Sequence, residues 1–232
     1  MVYGIVRRLF AESCPACGLA SEGGFCGVCA AELVRTANAC PRCGLARPVA
    51  HCPLRQMAWD VDAVVAPFSY GAPLDHYLHA LKYGGARAMG RALALLLVPE
   101  LAAVRGGIDS LVAVPLHRTR LYERGYNQAQ EIARVLARAL QVPALTRGIS
   151  RHVATPAQAG QGALTRRSSV ARAFRVERAL AGRRIAIVDD VVTTGATVNA
   201  LAAELKAAGA QRCVVLAVAR TPEPAQGRDL KR

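Results

Sequence analysis

A chain of 232 residues with 53% hydrophobic content can bury its own core, as one large domain or as a domain with a small appendage. Its formal charge is +14, and only three of its thirty basic residues are Lys, an Arg bias that suits planar, bidentate contacts with phosphate. The apolar runs fall short of the ~20 residues of a bilayer-spanning helix. The best, 92–104, is broken by Pro99 and Glu100, and residues 1–12 lack a signal-peptide core, so a cytoplasmic protein without a membrane span is expected.

Seven of the eight cysteines lie within residues 14–52, paired as Cys14/Cys17, Cys26/Cys29 and Cys40/Cys43, with Cys52 alone. Two C-x-x-C knuckles eight residues apart form a tetrahedral zinc pattern, and a structural Zn²⁺ at Cys14, Cys17, Cys26 and Cys29 is expected. The stretch 14–29 realigns 26 residues later as 40–55, so that Cys40, Cys43 and Cys52 repeat Cys14, Cys17 and Cys26, while Arg55 stands where Cys29 would fall. Three outcomes follow for the second copy. His51 completes a second site with Cys40, Cys43 and Cys52; the copy is metal-free and held by packing; or Cys40 and Cys43 join the first copy's metal. This zinc module ends near residue 58, where Trp59 is expected to pack at the junction. Cys213, in an apolar run, is a core residue.

From residue 59 onward strands and helices alternate. The pattern predicts a strand at 62–70, helices at 73–85 and 86–104, a strand at 110–115 and one long amphipathic helix at 120–140. A strand near 144–150 follows, then a loop over 152–171 whose length points to function or mobility. A short strand at 173–176, a strand ending in Asp189 and Asp190, a helix at 197–208 and a strand at 212–219 complete the chain. Apolar strands alternating with helices predict an α/β fold, a parallel sheet covered on both faces, with ligands outside the strand C-termini.

Residues 185–197 read IAIVDDVVTTGAT: an apolar strand, two carboxylates, then a hydroxyl-rich turn at a helix N-terminus. The carboxylates can accept hydrogen bonds from vicinal ribose hydroxyls, and the loop amides and hydroxyls can donate to a phosphate at the positive end of the helix. Between 146 and 184 lie nine Arg against one acidic residue, Glu177, which favours polyanions: a pyrophosphate compound or nucleic acid.

This stretch resembles, at every defined position, the phosphoribosyl-pyrophosphate (PRPP) signature of type I phosphoribosyltransferases. Over nearly its whole length the chain resembles the ComF family, cytoplasmic proteins associated with natural competence. The resemblance is carried by the zinc knuckles, LKYGG (81–85), VAVPLH (112–117), ERGYNQA (123–129), Thr155 with Gln158, Arg166 before Phe174, and IAIVDDVVTTGAT. It implies a type I phosphoribosyltransferase-like domain over 59–232 behind the zinc module of 1–58. Asp189 and Asp190 would bind the ribose hydroxyls with Mg²⁺ nearby, and Thr193, Thr194, Gly195, Ala196 and Thr197 would wrap the 5′-phosphate. Val114, Pro115, Leu116 and His117 would form the pyrophosphate loop, with Arg118 meeting the leaving group. The segment 152–171 would be the lid, its Arg166 and Arg167 neutralising pyrophosphate. Lys82 and Tyr83 would lie on the second-substrate side. DNA uptake and a competence helicase partner are also implied.

The lid departs from the family pattern at Ser169, where an Asn commonly follows the basic pair. The implied reaction is displacement of pyrophosphate at C1 of PRPP by a nitrogen nucleophile. Purine-specific relatives carry an Asp two residues before the signature Gly. Thr193 holds that place, so the acceptor is unassigned. The rival reading is a non-catalytic, PRPP-responsive protein that grips single-stranded DNA through Arg residues interleaved with Tyr122, Tyr126, His117 and His152. A zinc-ribbon adaptor on a degenerate transferase scaffold is a third reading. For RGYNQ the plain alternative is a helix N-terminus where Asn127 and Gln128 satisfy local polar groups, and for His76 and His79 ordinary helix-surface positions.

Overall fold

Apolar runs with no polar alternation build a single parallel sheet. The computed structural model describes residues 12–46, 52, 54, 57–104, 106–153 and 173–222. The sheet consists of β1 (Ala63–Val65), β2 (Phe68–Ser69), β3 (Ser110–Ala113), β4 (Ala144–Leu145), β7 (Arg184–Val192) and β8 (Arg212–Arg220). The order is β1-β8-β7-β3-β4, with β2 also on β8, and each pairing is parallel. A separate antiparallel pair joins β5 (Ile149–Arg151) to β6 (Phe174–Val176).

Side chains of β7 and β8 alternate between two dry faces. Ala186, Val188, Val214, Leu216 and Val218 enter one core, and Ile185, Ile187, Cys213, Val215 and Ala217 the other. The first face is covered by α2 (Leu74–Tyr83), α3 (Arg87–Leu97) and α5 (Gln128–Leu140), through Leu78, Leu81, Leu93, Leu97, Ile132 and Leu136. The second is covered by α6 (Ala196–Ala207), through Val198, Leu201, Ala202 and Leu205. Burial on both faces is why the stretches 185–188 of β7 and 213–219 of β8 lack charged residues. Cys213 is a core residue, as expected. Among the described residues no helix is long and apolar enough to cross a membrane.

Several elements differ from the sequence expectation. The helix expected at 120–140 is two helices, α4 (Arg118–Arg124) and α5. Gly125, at φ 72°, ends the first in the left-handed region, and Asn127 caps the second by accepting from the Ala129 amide at 3.0 Å. Stop and start signals only two residues apart leave the helical period almost unbroken, which hides them. The strand expected at 62–70 is interrupted at Ala66–Pro67, the expected 86–104 helix tightens into a 3₁₀ turn at Val98–Ala103, and the 144–150 strand is split. Strand β7 does not end at its acidic pair: Asp189 is in register with Ala217 and Val191 with Ala219. Of the expected lid at 152–171, residues 154–171 lie outside the described residues.

The cysteine repeat is a repeat in space. The Cys14 amide donates to the Leu19 carbonyl at 2.7 Å, and the Cys40 amide to that of Leu45 at 2.8 Å. Gly18 and Gly44 close both turns, donating to Cys14 and Cys40 at 2.9 and 2.7 Å. Each turn is flanked by a bridge, Ser13 with Ala20 and Ala39 with Ala46. Among the described residues only the first copy carries a short helix, α1 (Gly27–Ala31), which holds Cys29. Trp59 sits at the junction, packing against the cluster of Cys40, Cys43, Leu45 and Leu54 and against the second-face core.

At the opposite end of the sheet Arg184 clamps Asp109. The guanidinium reaches Oδ1 at 2.6 Å and Oδ2 at 3.2 Å, and the Arg184 amide donates to Oδ2 at 2.8 Å. These hydrogen bonds hold the Asp109 carboxyl down from 3.8 to about 2. A carboxyl whose folded pKa is depressed stabilises the fold above its unfolded value and loses that contribution as pH falls through the folded one. Asp109→Asn is expected to cost about 1 kcal/mol, since the pair is partly exposed. In urea unfolding the gap from the parent chain should be full at pH 6 and close as pH falls from 3.8 toward about 2.

Candidate functional site

Parallel pairing brings the exits of β3, β7 and β8 to one edge, and the candidate residues collect there. Asp190 is 9% exposed and meets Lys82 Nζ at 2.5 Å through Oδ2. Its own amide donates to Asp189 Oδ1 at 2.9 Å. Burial, and then the charge of Asp190, push the Asp189 carboxyl well above the ordinary carboxylate range. Burial alone would lower the Lys82 ammonium pKa, but the attraction of Asp190 outweighs it and the pKa is raised. Lys82 is therefore the counter-ion of the acidic pair, whereas its neighbour Tyr83 is 63% exposed.

The turn after β7 is built on Gly195 at φ 80°, which starts α6. A Cβ there would lie 2.4 Å from the Trp59 ring, so glycine is required by conformation and by space alike. Thr194 Oγ1 accepts from the Ala196 amide at 3.3 Å. Thr193 is exposed, and Thr194, Ala196 and Thr197 are half-buried around the open N-terminus of α6.

The 114–118 loop leaves β3 beside this turn. The Val114 amide donates to the Val188 carbonyl at 2.9 Å, and its own carbonyl accepts from Asn127 Nδ2 at 2.9 Å. His117 caps α4, accepting from the Thr119 amide. Pro115, Leu116, His117 and Arg118 line a cavity of about 530 Å³ together with Arg151 and His152. A second cavity of about 460 Å³ is lined by Lys82, Tyr83, Arg120, Arg124 and Tyr126. Arg151 is drawn into the same field: burial and repulsion from Arg120 lower its pKa, and Asp189 acts against them.

RGYNQ is the joint between these parts. The Tyr126 hydroxyl donates to the Leu81 carbonyl, next to Lys82, while Asn127 holds Val114. Tyr126 is buried under Arg87 and so is not the exposed stacking partner that the single-strand reading wanted. Tyr122 is 92% exposed and Tyr83 carries the Arg124 guanidinium 4.8 Å above its ring. Arg166, Arg167, Thr155, Gln158 and Ser169 lie outside the described residues.

Both cysteine groups close up. The thiols of Cys14, Cys17, Cys26 and Cys29 lie within 4.8 Å of one another, as do those of Cys40, Cys43 and Cys52. The Cys17–Cys26 separation is 3.6 Å, near the roughly 3.8 Å edge of a thiolate tetrahedron. Burial would raise the Cys14 pKa, but the Cys26, Cys17 and Ala16 amides bring it down to about 6, while hydrogen bonding from Cys17, with burial, pushes the Cys29 thiol up. Either group could hold a metal ion. The two are separate, which overturns the option that Cys40 and Cys43 share the first copy's metal. His51 lies outside the described residues.

A phosphoribosyl transferase domain model matches residues 123–231, which include the acidic pair and the Thr-Thr-Gly turn. DNA utilization protein YhgH of Escherichia coli O157:H7 is 35% identical over 179 residues, 75% of this chain and 78% of that protein. Competence protein F of Haemophilus influenzae is 31% identical over 207 residues, 84% of each. The chain belongs to the ComF family. A solved purine phosphoribosyltransferase from Pyrococcus horikoshii Ot3 superposes with a TM-score of 0.35 at 18% identity, covering 56% of this chain and 80% of that one.

Two side chains in this ComF protein were not legible as site residues. Arg220, at the end of β8, is 4% exposed and donates to the carbonyls of Val192 and Thr193. A lone Arg after an apolar strand reads as the first polar residue beyond it. Arg151 reads from sequence only as part of the basic stretch, because its place in the cavity lining and in the field of Asp189 is set by the β5–β6 pair. For Lys82 the sequence carried a weak signal, a cation at the end of an amphipathic helix.

Removing Lys82 strands a buried carboxylate pair. Lys82→Met is expected to cost about 2 kcal/mol at pH 8, discounted for partial exposure. Because the Asp189 pKa is raised, the folded chain holds its proton to higher pH than the unfolded one, so protonation on acidification relieves the loss. Urea titrations at pH 5 and pH 8 should show the larger deficit at pH 8.

Proposed function

We propose that this protein binds PRPP at the edge formed by β3, β7 and β8. Asp189 and Asp190 take the ribose hydroxyls, residues 193–197 the 5′-phosphate, and the 114–118 loop with Arg118 the pyrophosphate. The observation that carries the reading is the convergence of three differently charged features at one sheet edge: a buried acidic pair, an open helix N-terminus and a cationic cavity wall. Arg166 and Arg167, from the expected lid, would add charge over the pyrophosphate. Mg²⁺ carried in with PRPP would screen the pyrophosphate charge. The role is one in DNA uptake or utilisation, as the names of the relatives suggest, in the cytoplasm, with single-stranded DNA and a competence helicase as partners.

Binding must loosen the Lys82–Asp190 pair, since the carboxylate that accepts ribose hydroxyls is the one Lys82 engages. Lys82 thereby keeps the empty acidic pair neutralised and can swing toward the pyrophosphate as the sugar takes its place. A nitrogen nucleophile would enter from the cavity lined by Tyr83 and Arg124. Thr193 offers a hydroxyl and no carboxylate, so the reaction, where it occurs, uses an acceptor that needs no base at that position. The second reading, a PRPP-responsive single-strand binder, is favoured by exposed Tyr122 and by the Tyr83–Arg124 stack.

Calorimetry with PRPP and Mg²⁺ should give at least a tenfold loss of affinity for Asp190→Asn, equivalent to about 1.4 kcal/mol. Equal heats for both proteins would reject the site. Pyrophosphate release across a panel of nitrogen bases then separates the readings, with release under any base expected for a transferase and salt-dependent single-strand binding without release for the sensor.

The donor chemistry of the first cysteine group fits Zn²⁺ as a structural metal. Zinc analysis is expected to return one tightly held equivalent that Cys29→Ser loses together with the chain's thermal stability. A second equivalent would show that Cys40, Cys43 and Cys52 find a fourth ligand, His51 being the nearest in sequence.

A further inference from the structure

The two cysteine copies share a shape but rest on different supports. The first leans on the helical face, through the Phe25–Tyr77 ring contact and the Glu12–Arg91 ion pair. The second is bound to the site edge by its main chain. Three consecutive carbonyls of its knuckle accept hydrogen bonds from outside it: Pro41 from the Val64 amide at 2.9 Å, Arg42 from Trp59 Nε1 at 3.2 Å, and Cys43 from Arg220 Nε at 2.9 Å.

Two of these donors touch the Thr-Thr-Gly turn directly. Arg220 Nη1 donates to the Val192 carbonyl at 2.9 Å and to that of Thr193. The Trp59 ring closes over Gly195. Asn199 braces the same segment, accepting from the Asp60 amide at 2.6 Å while its own amide donates to the Gly195 carbonyl at 2.9 Å. Arg220 is thus a buried cation that donates both to a knuckle carbonyl, Cys43, and to the carbonyls of Val192 and Thr193 that lead into the turn. Moving the knuckle moves a charge-assisted hydrogen bond away from the turn or leaves a buried carbonyl unpaired, and both are costly.

We propose that Arg220 and Trp59 are positioning residues for the phosphate turn, and that through them the Cys40–Cys43 knuckle sets the turn's shape. The second copy is then part of the ligand site, held against it by main-chain carbonyls. This rests on reading residues 193–197 as the 5′-phosphate loop. It assigns the knuckle a selective influence: the turn should lose affinity for a sugar phosphate while the 114–118 loop, hung on Val188 and Asn127, keeps its hold on pyrophosphate.

That selectivity is what a merely structural role would not show. Trp59 is the only tryptophan in the chain, so its emission reports on the turn. Calorimetry with ribose 5-phosphate and with pyrophosphate, each with Mg²⁺, is run on the full chain and on Arg220→Met, Arg220→Lys, Cys40→Ser and Arg91→Ala. Arg220→Met and Cys40→Ser are expected to weaken ribose 5-phosphate by about tenfold, leave pyrophosphate within about twofold, and red-shift Trp59 emission. Arg220→Lys keeps the charge but cannot reach both carbonyl sets, so it should lose part of that affinity, and it decides the matter if Arg220→Met does not fold. Arg91→Ala, on the first copy's support, should match the parent. Unchanged ribose 5-phosphate affinity in the Arg220 and Cys40 variants, or equal losses for both ligands, overturns the proposal. If the parent binds neither ribose 5-phosphate nor PRPP, the proposed function fails, and the emission of Arg220→Lys and Cys40→Ser still tests the mechanical link. A red shift in both supports it, and parent-like emission in both overturns it.

Discussion

Parallel pairing of β3, β7 and β8 directs the chain out of all three strands at the same edge of the sheet. The 114–118 loop, the acidic pair with its Thr-Thr-Gly turn, and Arg220 meet for that reason, although they are spread over more than a hundred residues of sequence. Parallel strands need crossover helices, which fall on the two faces and leave the edge open. The period-two burial of β7 and β8 fixes the register, because a slip of one residue would exchange the two cores and turn the carboxylates to the wrong side.

Against that frame the acidic pair is a local instability. Two adjacent carboxyls in a poorly solvated strand cannot both ionise at low cost, and the raised Asp189 pKa expresses that conflict. Lys82 answers it from α2, and its placement depends on Tyr126, whose hydroxyl secures the end of that helix at Leu81. RGYNQ therefore acts through geometry. Gly125 turns the chain, Tyr126 sets the cation, and Asn127 ties the loop after β3, so one short motif coordinates two walls of the site. The plain alternative for Asn127, a helix cap, is what the structure has, and the same side chain's other end serves the site.

The cysteine repeat shows how similar sequence can acquire different mechanical roles. Both copies make the same amide-to-carbonyl turn, because C-x-x-C-G encodes it locally. What each copy leans on is decided elsewhere. The first, with four thiols in reach of one ion, can be stabilised by a metal and makes side-chain contacts with the helical face. The second has three described thiols, two of them buried in a small apolar cluster with Leu45 and Leu54, and spends its carbonyls on Val64, Trp59 and Arg220.

The parallel α/β architecture, the apolar strands, the thiol pairs and the strand-to-helix turn that follows the Asp-Asp pair were all legible in the sequence, because each is a local pattern carried by neighbouring residues. The break between α4 and α5 was not, since its stop and start signals overlap within one helical period. Neither was the end of β7, whose acidic residues look like a terminus yet stay paired to β8. Lys82 against Asp190, Arg151 near Asp189 and Arg220 between the knuckle and the turn were decided by tertiary structure alone. A long cationic side chain carries no record in sequence of which distant carboxylate or carbonyl it will reach. That choice follows from strand order and helix placement, and the desolvation cost of leaving either partner alone then holds the contact in place.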